Sequence, residues 1–453
     1  MADTPIESPY ATQPPNGEIV LYEGHGHVRD VLGHATQGDL RVTLEWFPTS
    51  GIAFLLRGSS PSMIDVGSGG TVSLSDGRVL NGVITSRHVS HGAAGVSDEI
   101  RGLGQMVWAS EGIVRQVVFE VPNFPRFHGS ALEVSEGGTT QSWTGRLRWE
   151  TEAWIVVLDE RRRATGEAET VVEQLRDEGG FALTHSGRLE RKDGKPIAVD
   201  DLGDVLAGMS RFFSFVAGAN TGVTLPRGLD DRGNDVWVQW TAPRVEPVRR
   251  MRMSCYPELV VDGAIARLPR LDAVAERFVD GWNEPNFREL LRYGVGWYLT
   301  ANPHHSAETK ITLSQSGLEL AAWTHFVIGE RISSTGFVGL PASDRLRLLL
   351  TEAGVSTGIP KQLGSLAAYA AETSDGKGVW SDGPEALTQI RNLLVHSTKK
   401  LRAMDIPTDV MVQTSQLAVW YLELALMFLL GYEDQFVSQV EGLVRVVPWA
   451  VGT

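Results

Sequence analysis

The stretch Leu40-Arg41-Val42-Thr43-Leu44-Glu45-Trp46 decides the fold of the first half of the chain. Apolar and polar residues alternate through it, which is typical of a β-strand that buries one face. Similar patterns predict further strands at 115–121, 143–149 and 153–158. Because turns containing Gly, Ser and Asp separate these runs, we expect a large antiparallel, sandwich-like β domain from Ile19 to about Trp240.

The second half of the chain has a different period. Prolines recur between Thr241 and Pro269 and break both helices and sheet ladders. Beyond them, apolar residues repeat about every 3.6 positions, as in amphipathic helices. The sequence therefore predicts an α+β protein with four parts: a disordered tail (1–17), a β-rich sensor or regulatory domain (18–245), a linker (246–270) and an all-α bundle (271–453).

Composition excludes several classes of protein. The 453 residues include a single cysteine, Cys255, which rules out an internal disulfide framework and a Cys-rich zinc site. A net charge of −14 weighs against broad, non-specific binding of nucleic acid but leaves room for a local site. The apolar run at 417–430 is too short to span a membrane, and the N-terminus lacks a signal peptide. We predict a cytoplasmic protein without membrane contact.

The stretch Arg391-Asn392-Leu393-Leu394-Val395-His396 carries the candidate chemistry. It lies within a helix predicted from Pro384 to Met404, so that Asn392 and His396 would share one face. Spacing alone decides nothing, because Arg29 and His34 stand at the same separation in a β-rich region. A solvated helix face is the alternative interpretation of the same residues.

This segment resembles the HEPN superfamily of helical ribonuclease domains, and more narrowly the Apea-like HEPN proteins of bacterial defence systems. The resemblance rests on the Arg391–His396 motif, with residues 386–390 before it, and on the short stretches 317–320 (with Trp323), 421–424, 429–432 and 448–449. Residues 211–218 are also similar to a stretch in the β-rich halves of such two-domain proteins. It covers about residues 275–453. It implies a HEPN helical bundle that cleaves RNA without a metal, with Arg391 and His396 catalytic and Asn392 supporting them.

The chemistry fits these residue types. RNA carries its own nucleophile, the 2′-OH beside each phosphate. His396 could transfer the proton near neutral pH, and Arg391 could hold two phosphate oxygens as charge builds up. The resemblance also implies pairing of two such motifs in a homodimer through the helical domain. RNA, including tRNA, is the expected partner, with a phage-derived or small-molecule trigger at the β domain and no cofactor.

Other residues around this motif are weaker candidates. Glu319 and Glu423 sit in apolar helical runs and could support the catalytic pair, or be ordinary interface carboxylates. Lys399, Lys400 and Arg402 could contact RNA phosphates, although basic residues also suit a helix C-terminus. The histidines of 25–27 and 88–91 lack a partner ligand fixed by sequence, so no metal site is predicted.

Two alternatives to a ribonuclease effector remain open. The first is a non-catalytic HEPN scaffold that binds nucleic acid or a partner, with a ligand-binding β domain. The second is a carbohydrate- or peptide-binding β-sandwich with a helical dimerisation domain. Exposed tryptophans on one sheet face would favour the second, although we expect these side chains to pack in the core. They are Trp143, Trp149, Trp154, Trp237 and Trp240.

Overall fold

The computed structural model describes residues 4–10, 13–58, 63–92, 95–125, 127, 129–136, 139–161, 174–175, 178–247, 260–261, 264–265, 271–302, 305–373, 380–396 and 406–450. The chain divides into two compact units. Unit 1 consists of Met1–Leu206 and Thr221–Arg250. Unit 2 consists of Ala207–Asn220 and Met251–Thr453. The four-part division predicted from the prolines stays a prediction.

Unit 1 is built on one antiparallel sheet of 13 strands within the described residues. The strands are β1 (Ile19–Asp30), β2 (Ala35–Glu45), β3 (Gly51–Gly58), β4 (Gly69–Leu74), β5 (Val79–Gly92), β6 (Gly95–Ala109), β7 (Gln116–Pro122), β8 (Ser130–Glu136), β9 (Thr139–Glu150), β10 (Trp154–Glu160), β11 (Leu183–Arg191), β12 (Thr224–Leu229) and β13 (Asp235–Trp240). Their order is β3-β2-β1-β4-β5-β6-β13-β12-β7-β11-β10-β9-β8.

The first six strands close on themselves, because β3 also pairs with β6. The alternation of the opening stretch explains the core here: Leu40, Val42 and Leu44 are all buried in one hydrophobic cluster. Phe54, opposite Val42 in the β2–β3 register, belongs to the same cluster. Its ring lies so close to the β6 backbone that a Cβ at Gly102 would come within 2.3 Å of it.

The predicted layout, an antiparallel β-rich half followed by a helical half, agrees with the structure, but the predicted fold class is wrong about how each half is built. The β domain is not a two-sheet sandwich but one continuous sheet, part of which closes into a ring. Alternation in Leu40–Trp46 tells which face of a strand is buried, but pairing partners are set by residues far apart in sequence. The helical half is not a plain all-α bundle, since it contains π-helical segments and a β-hairpin, β16 (Gln435–Ser438) with β17 (Leu443–Val446).

Unit 2 is otherwise helical, and begins inside α1 (Val199–Ala217), which crosses from unit 1. The helices that follow are α2 (Asp272–Gly281), α3 (Pro285–Glu289), α4 (Val295–Ala301), α5 (Ala307–Trp323), α6 (Ser334–Val338), α7 (Ala342–Glu352), α8 (Gly364–Glu372), α9 (Gly383–Val395) and α10 (Thr408–Leu429). π-Helical segments are at Leu290–Gly294 and Thr324–Ile328, a 3₁₀ turn is at Pro448–Ala450, and a short pair comprises β14 (Val260–Val261) and β15 (Ala264–Ile265).

The core of unit 2 forms around aromatic residues and closely packed helices. Phe215 from the end of α1 packs against Phe278 and Tyr298, with ring centroids 5.7 and 5.6 Å away. Helices α5 and α10 lie against each other where Gly317 leaves room for Leu422. In the part of the chain that the structure describes, no helix has the length and hydropathy that a membrane crossing requires.

Candidate functional site

Helix α9 positions the predicted Arg391–His396 motif. The helix begins with Asp382 as N-cap, whose side chain accepts from the backbone N–H of Glu385 at 3.0 Å. Arg347 anchors the same carboxylate through an Nε donor at 2.6 Å. These contacts fix the start of the helix, because a capped N-terminus satisfies otherwise orphaned backbone donors.

The far end of α9 differs from the sequence prediction. The helix ends at Val395, and His396 is its C-cap with φ −91° and ψ 116°. The prediction that the helix continues through His396 is therefore wrong, because the backbone of His396 is already extended. A backbone hydrogen bond of 3.2 Å, from His396 N–H to the Asn392 carbonyl, still holds the two residues together.

Arg391 combines partial burial with few partners. Its Nη1 donates to Asn392 Oδ1 at 3.4 Å, a long contact. Its Nε is buried and has no hydrogen-bond partner among the described residues. Elsewhere in unit 2, Arg347 is paired with Asp382, whereas Arg391 has no ion pair within the described part of the chain. His396, five residues further along the chain, is exposed at the C-cap of the same helix.

The supporting candidates are distributed over other elements. Glu319 on α5 accepts from Gln315 Nε2 at 2.9 Å. Glu423 on α10 is fully buried and accepts from the hydroxyl of Tyr298 at 3.4 Å. Both carboxylates are therefore hydrogen-bonded to side chains of the helical unit. Lys399, Lys400 and Arg402 lie outside the described residues.

The other sequence candidates have ordinary surroundings. Trp143, Trp149, Trp154, Trp237 and Trp240 are all buried, so they do not form an exposed binding face. The histidines of 25–27 and 88–91 are exposed on β1 and β5, and the described residues include no group of three or more side chains placed to hold a metal. His34, the histidine of the second Arg/His pair, is bonded to Asp30 at 3.0 Å across the β1–β2 turn, so it has a structural role there.

Unit 1 contains a buried ionic cluster that sequence reasoning missed. Arg161 donates to Glu120 Oε2 at 3.1 Å and Ser186 Oγ donates to the same oxygen at 2.8 Å. Burial raises the pKa of Glu120, and the charge of Arg161 offsets part of that rise. Arg161 also donates to the Tyr10 carbonyl, which ties an N-terminal segment to the sheet. No local pattern predicts this cluster, because its members come from distant positions in the chain.

His185 adjoins this cluster on β11. Burial, together with the nearby charge of Arg161, lowers its pKa to about 3. The ring is stacked on Phe127 at 5.1 Å and lies edge-on to Phe124 at 5.3 Å. Such an enclosed imidazole stays neutral at physiological pH and acts as a core residue.

A second polar group that sequence reasoning missed lies in unit 2, around His325. This histidine lines an open cleft of about 570 Å³ together with Arg277 and Arg331. Burial is the main cause that lowers its pKa, and Arg331 adds to the effect while Glu352 opposes it. His325 lies in the π-helical segment Thr324–Ile328. The sequence does not reveal this segment, because its residues continue the periodic pattern of α5.

Comparison with known proteins gives a different relationship from the one that the motif suggested. Residues 284–448 match the family model of the YopA C-terminal domain, and residues 109–251 match that of the YopA central domain. The chain is 25% identical over 314 residues to the SPbeta prophage-derived uncharacterized protein YopA of Bacillus subtilis (strain 168). The match covers 68% of this chain and 66% of that relative, slightly less than two thirds of its length. No solved structure matches significantly.

These matches overturn the HEPN assignment. The helical half corresponds to the YopA C-terminal domain model, and no HEPN family model matches the chain. An Arg/His pair five residues apart near a helix end is too common a pattern to identify a family by itself. The roles of Arg391, Asn392 and His396 therefore rest on their own chemistry and surroundings.

Proposed function

We propose that this protein is a metal-independent endoribonuclease of a phage-related bacterial system, with Arg391 and His396 as its catalytic groups. One observation carries the proposal. Arg391 is a half-buried guanidinium whose Nε is unsatisfied and whose charge has no carboxylate partner in the described residues, and an exposed histidine, His396, follows five residues later at the end of the same helix. A partly desolvated cation of this kind suits a phosphate, because Arg binds phosphate oxygens in a bidentate geometry.

The reaction uses the 2′-OH of the RNA as nucleophile. His396 removes the proton from this hydroxyl, and the oxygen attacks the adjacent phosphorus while the bond to the 5′-oxygen of the next nucleotide breaks. Arg391 stabilises the charge that develops on the phosphate, and Asn392 orients the guanidinium. The leaving 5′-oxygen takes up a proton from solvent and His396 releases to solvent the one it removed, so the products are a 2′,3′-cyclic phosphate and a 5′-OH.

The wider function is part of the same proposal. The relative's name says that it is prophage-derived, which supports a role in conflict between phage and host, as a toxin-like or abortive-infection effector. RNA, with tRNA as one candidate, is the substrate. A homodimer formed through unit 2 would bring two motifs together in the cytoplasm. Unit 1 would receive a phage-derived or small-molecule trigger.

The test is cleavage of a synthetic single-stranded RNA and of bulk tRNA by the purified full chain in excess EDTA. We expect 5′-OH ends and cyclic phosphates by mass spectrometry. His396→Ala should reduce the rate by about 10²- to 10⁴-fold, the usual contribution of a general acid–base group. His305→Ala is the matched control, because His305 is also an exposed histidine of unit 2. A substrate with 2′-deoxy residues should resist cleavage.

Two results would overturn this proposal. One is cleavage that requires a divalent metal; the other is an unchanged rate for His396→Ala. Binding of RNA that depends on Arg391 but leads to no cleavage would favour the non-catalytic scaffold instead.

A further inference from the structure

The cleft around His325 has the dimensions of a small-molecule site. Its volume of about 570 Å³ falls within the range of about 300–1,000 Å³ that is typical of ligand pockets. Apolar groups from Ile328, Phe428 and Leu429 line part of it. Arg277, Asn286 and Arg331 bring polar groups to the same space, and one carboxylate, that of Glu284, also lines it. An apolar wall with a few converging polar groups is the usual composition of a binding site.

His325 points to a ligand because it is nearly buried and incompletely bonded. Its side chain is 9% exposed, and its Nε2 has no hydrogen-bond partner among the described residues. The closest carboxylate oxygen, Glu352 Oε1, is 3.7 Å from Nε2, beyond hydrogen-bond range. A buried polar atom without a partner costs free energy, which a ligand atom at this position would recover.

The two arginines of the cleft are in different electrostatic states. Arg331 is paired with Glu352 through an Nη1–Oε1 contact of 2.5 Å. Arg277 lies over the ring of Phe287, with its guanidinium carbon 4.3 Å from the centroid. Within the described residues Arg277 has no ion pair with a carboxylate. Stacking on Phe287 holds its guanidinium flat while its charge stays available to an anion.

The backbone at this cleft is also unusual. The π-helical segment Thr324–Ile328 follows directly after the last residue of α5, and such segments are frequent at functional sites. Glu330, two residues after it, has a φ of 55°, in the left-handed region that non-glycine residues seldom adopt. Strain of this kind persists where the surrounding structure enforces it, and it clusters at ligand sites.

We propose that this cleft binds a small organic anion in which a phosphate is joined to a flat ring, as in a nucleoside monophosphate. Arg277 and His325 contact the phosphate, and the ring lies against Ile328 and Phe428. Arg331 lines the same cleft with its charge already paired with Glu352. This site is separate from the Arg391–His396 motif, and the proposal does not depend on the ribonuclease activity.

Isothermal titration of the full chain with AMP, adenosine and inorganic phosphate tests this proposal. AMP should bind, whereas adenosine lacks the anion and phosphate lacks the ring, so each should bind at least about tenfold more weakly. Arg277→Met should weaken AMP binding by about tenfold or more, the usual effect of losing a charge-assisted contact. Arg445→Met is the matched control, because Arg445 is paired with Glu441 outside the cleft.

The His325→Gln variant tests the proposal a second time, because it keeps the charge of Arg277. It should lower AMP affinity while leaving the thermal transition of the protein within a few degrees of the parent. The inference is overturned if AMP shows no binding at millimolar concentration, if adenosine binds as tightly as AMP, or if Arg277→Met binds AMP like the parent. His396→Ala should retain full AMP affinity, which separates this test from that of the proposed ribonuclease.

Discussion

His185 in unit 1 and His325 in unit 2 share an electrostatic signature but differ in what surrounds them. Burial lowers the pKa of both, and an arginine adds to the effect in each case. His185 is enclosed by Phe124 and Phe127, whereas His325 borders an open cleft of about 570 Å³. A depressed histidine pKa therefore does not identify a site by itself. Space for a ligand beside the ring is what distinguishes the second region.

The largest effect should come from breaking the ion pair beside His185. Arg161→Met leaves the Glu120 carboxylate buried without its cation, and removing one partner of a buried pair costs about 3–5 kcal/mol. Urea unfolding followed by tryptophan fluorescence would measure this loss. Arg445→Met, which removes an exposed ion pair, should cost less than about 1 kcal/mol. Equal losses for the two variants would show that the Glu120 cluster is not structurally important.

An intermediate effect should appear in the pH dependence of stability. His185 has a pKa of about 3 in the folded protein and near 6.5 when unfolded. Between these values only the unfolded chain carries the proton, so acidification below about pH 6.5 destabilises the fold by about 1.4 kcal/mol per pH unit. His185→Phe removes this titration. The slope of unfolding free energy against pH between 6 and 4.5 should become shallower by that amount.

The same experiment can contradict the environment assigned to His185. If His185→Phe and the parent have identical slopes, the imidazole must take up its proton in the folded protein, and the aromatic enclosure would not keep it neutral.

The smallest effect should come from the strained backbone beside His325. Glu330→Gly replaces a left-handed non-glycine residue with one that tolerates a φ of 55° without steric cost. The greater freedom of glycine in the unfolded chain offsets part of this gain in stability. We therefore expect the free energy of unfolding to rise by up to about 1 kcal/mol. Thermal and urea unfolding would measure it. Clear destabilisation would mean that the Glu330 side chain makes a favourable contribution that outweighs the strain.

Local patterns predicted the elements of this protein better than their arrangement. The alternation of Leu40–Trp46 agrees with β2, and the periodic pattern predicted from Thr408 to Leu430 agrees with α10. The closure of β3 onto β6 could not be predicted, because it joins residues about 50 positions apart through backbone hydrogen bonds that leave no mark on either strand alone.

The candidate sites were predictable to different degrees. Arg391 and His396 were proposed from residue chemistry and stay a prediction, whereas the end of α9 at Val395 was not predicted, since the apolar pattern continues past it. His325 escaped notice because a π-helical segment looks like a continuation of α5 in sequence. Its value as a candidate comes from the cleft, which is assembled from α2, α3, the π-helical segment and α10.

Helix α1 has a consequence for how the chain matures on the ribosome. Its second half, with Phe212, Phe213 and Phe215, belongs to unit 2, although the chain then returns to unit 1 for β12 and β13. These aromatic side chains are synthesised about 200 residues before α10 is complete. At about 5–20 residues per second, they would wait on the order of 10–40 s for that helix. A fragment that starts at Leu271 would never acquire them.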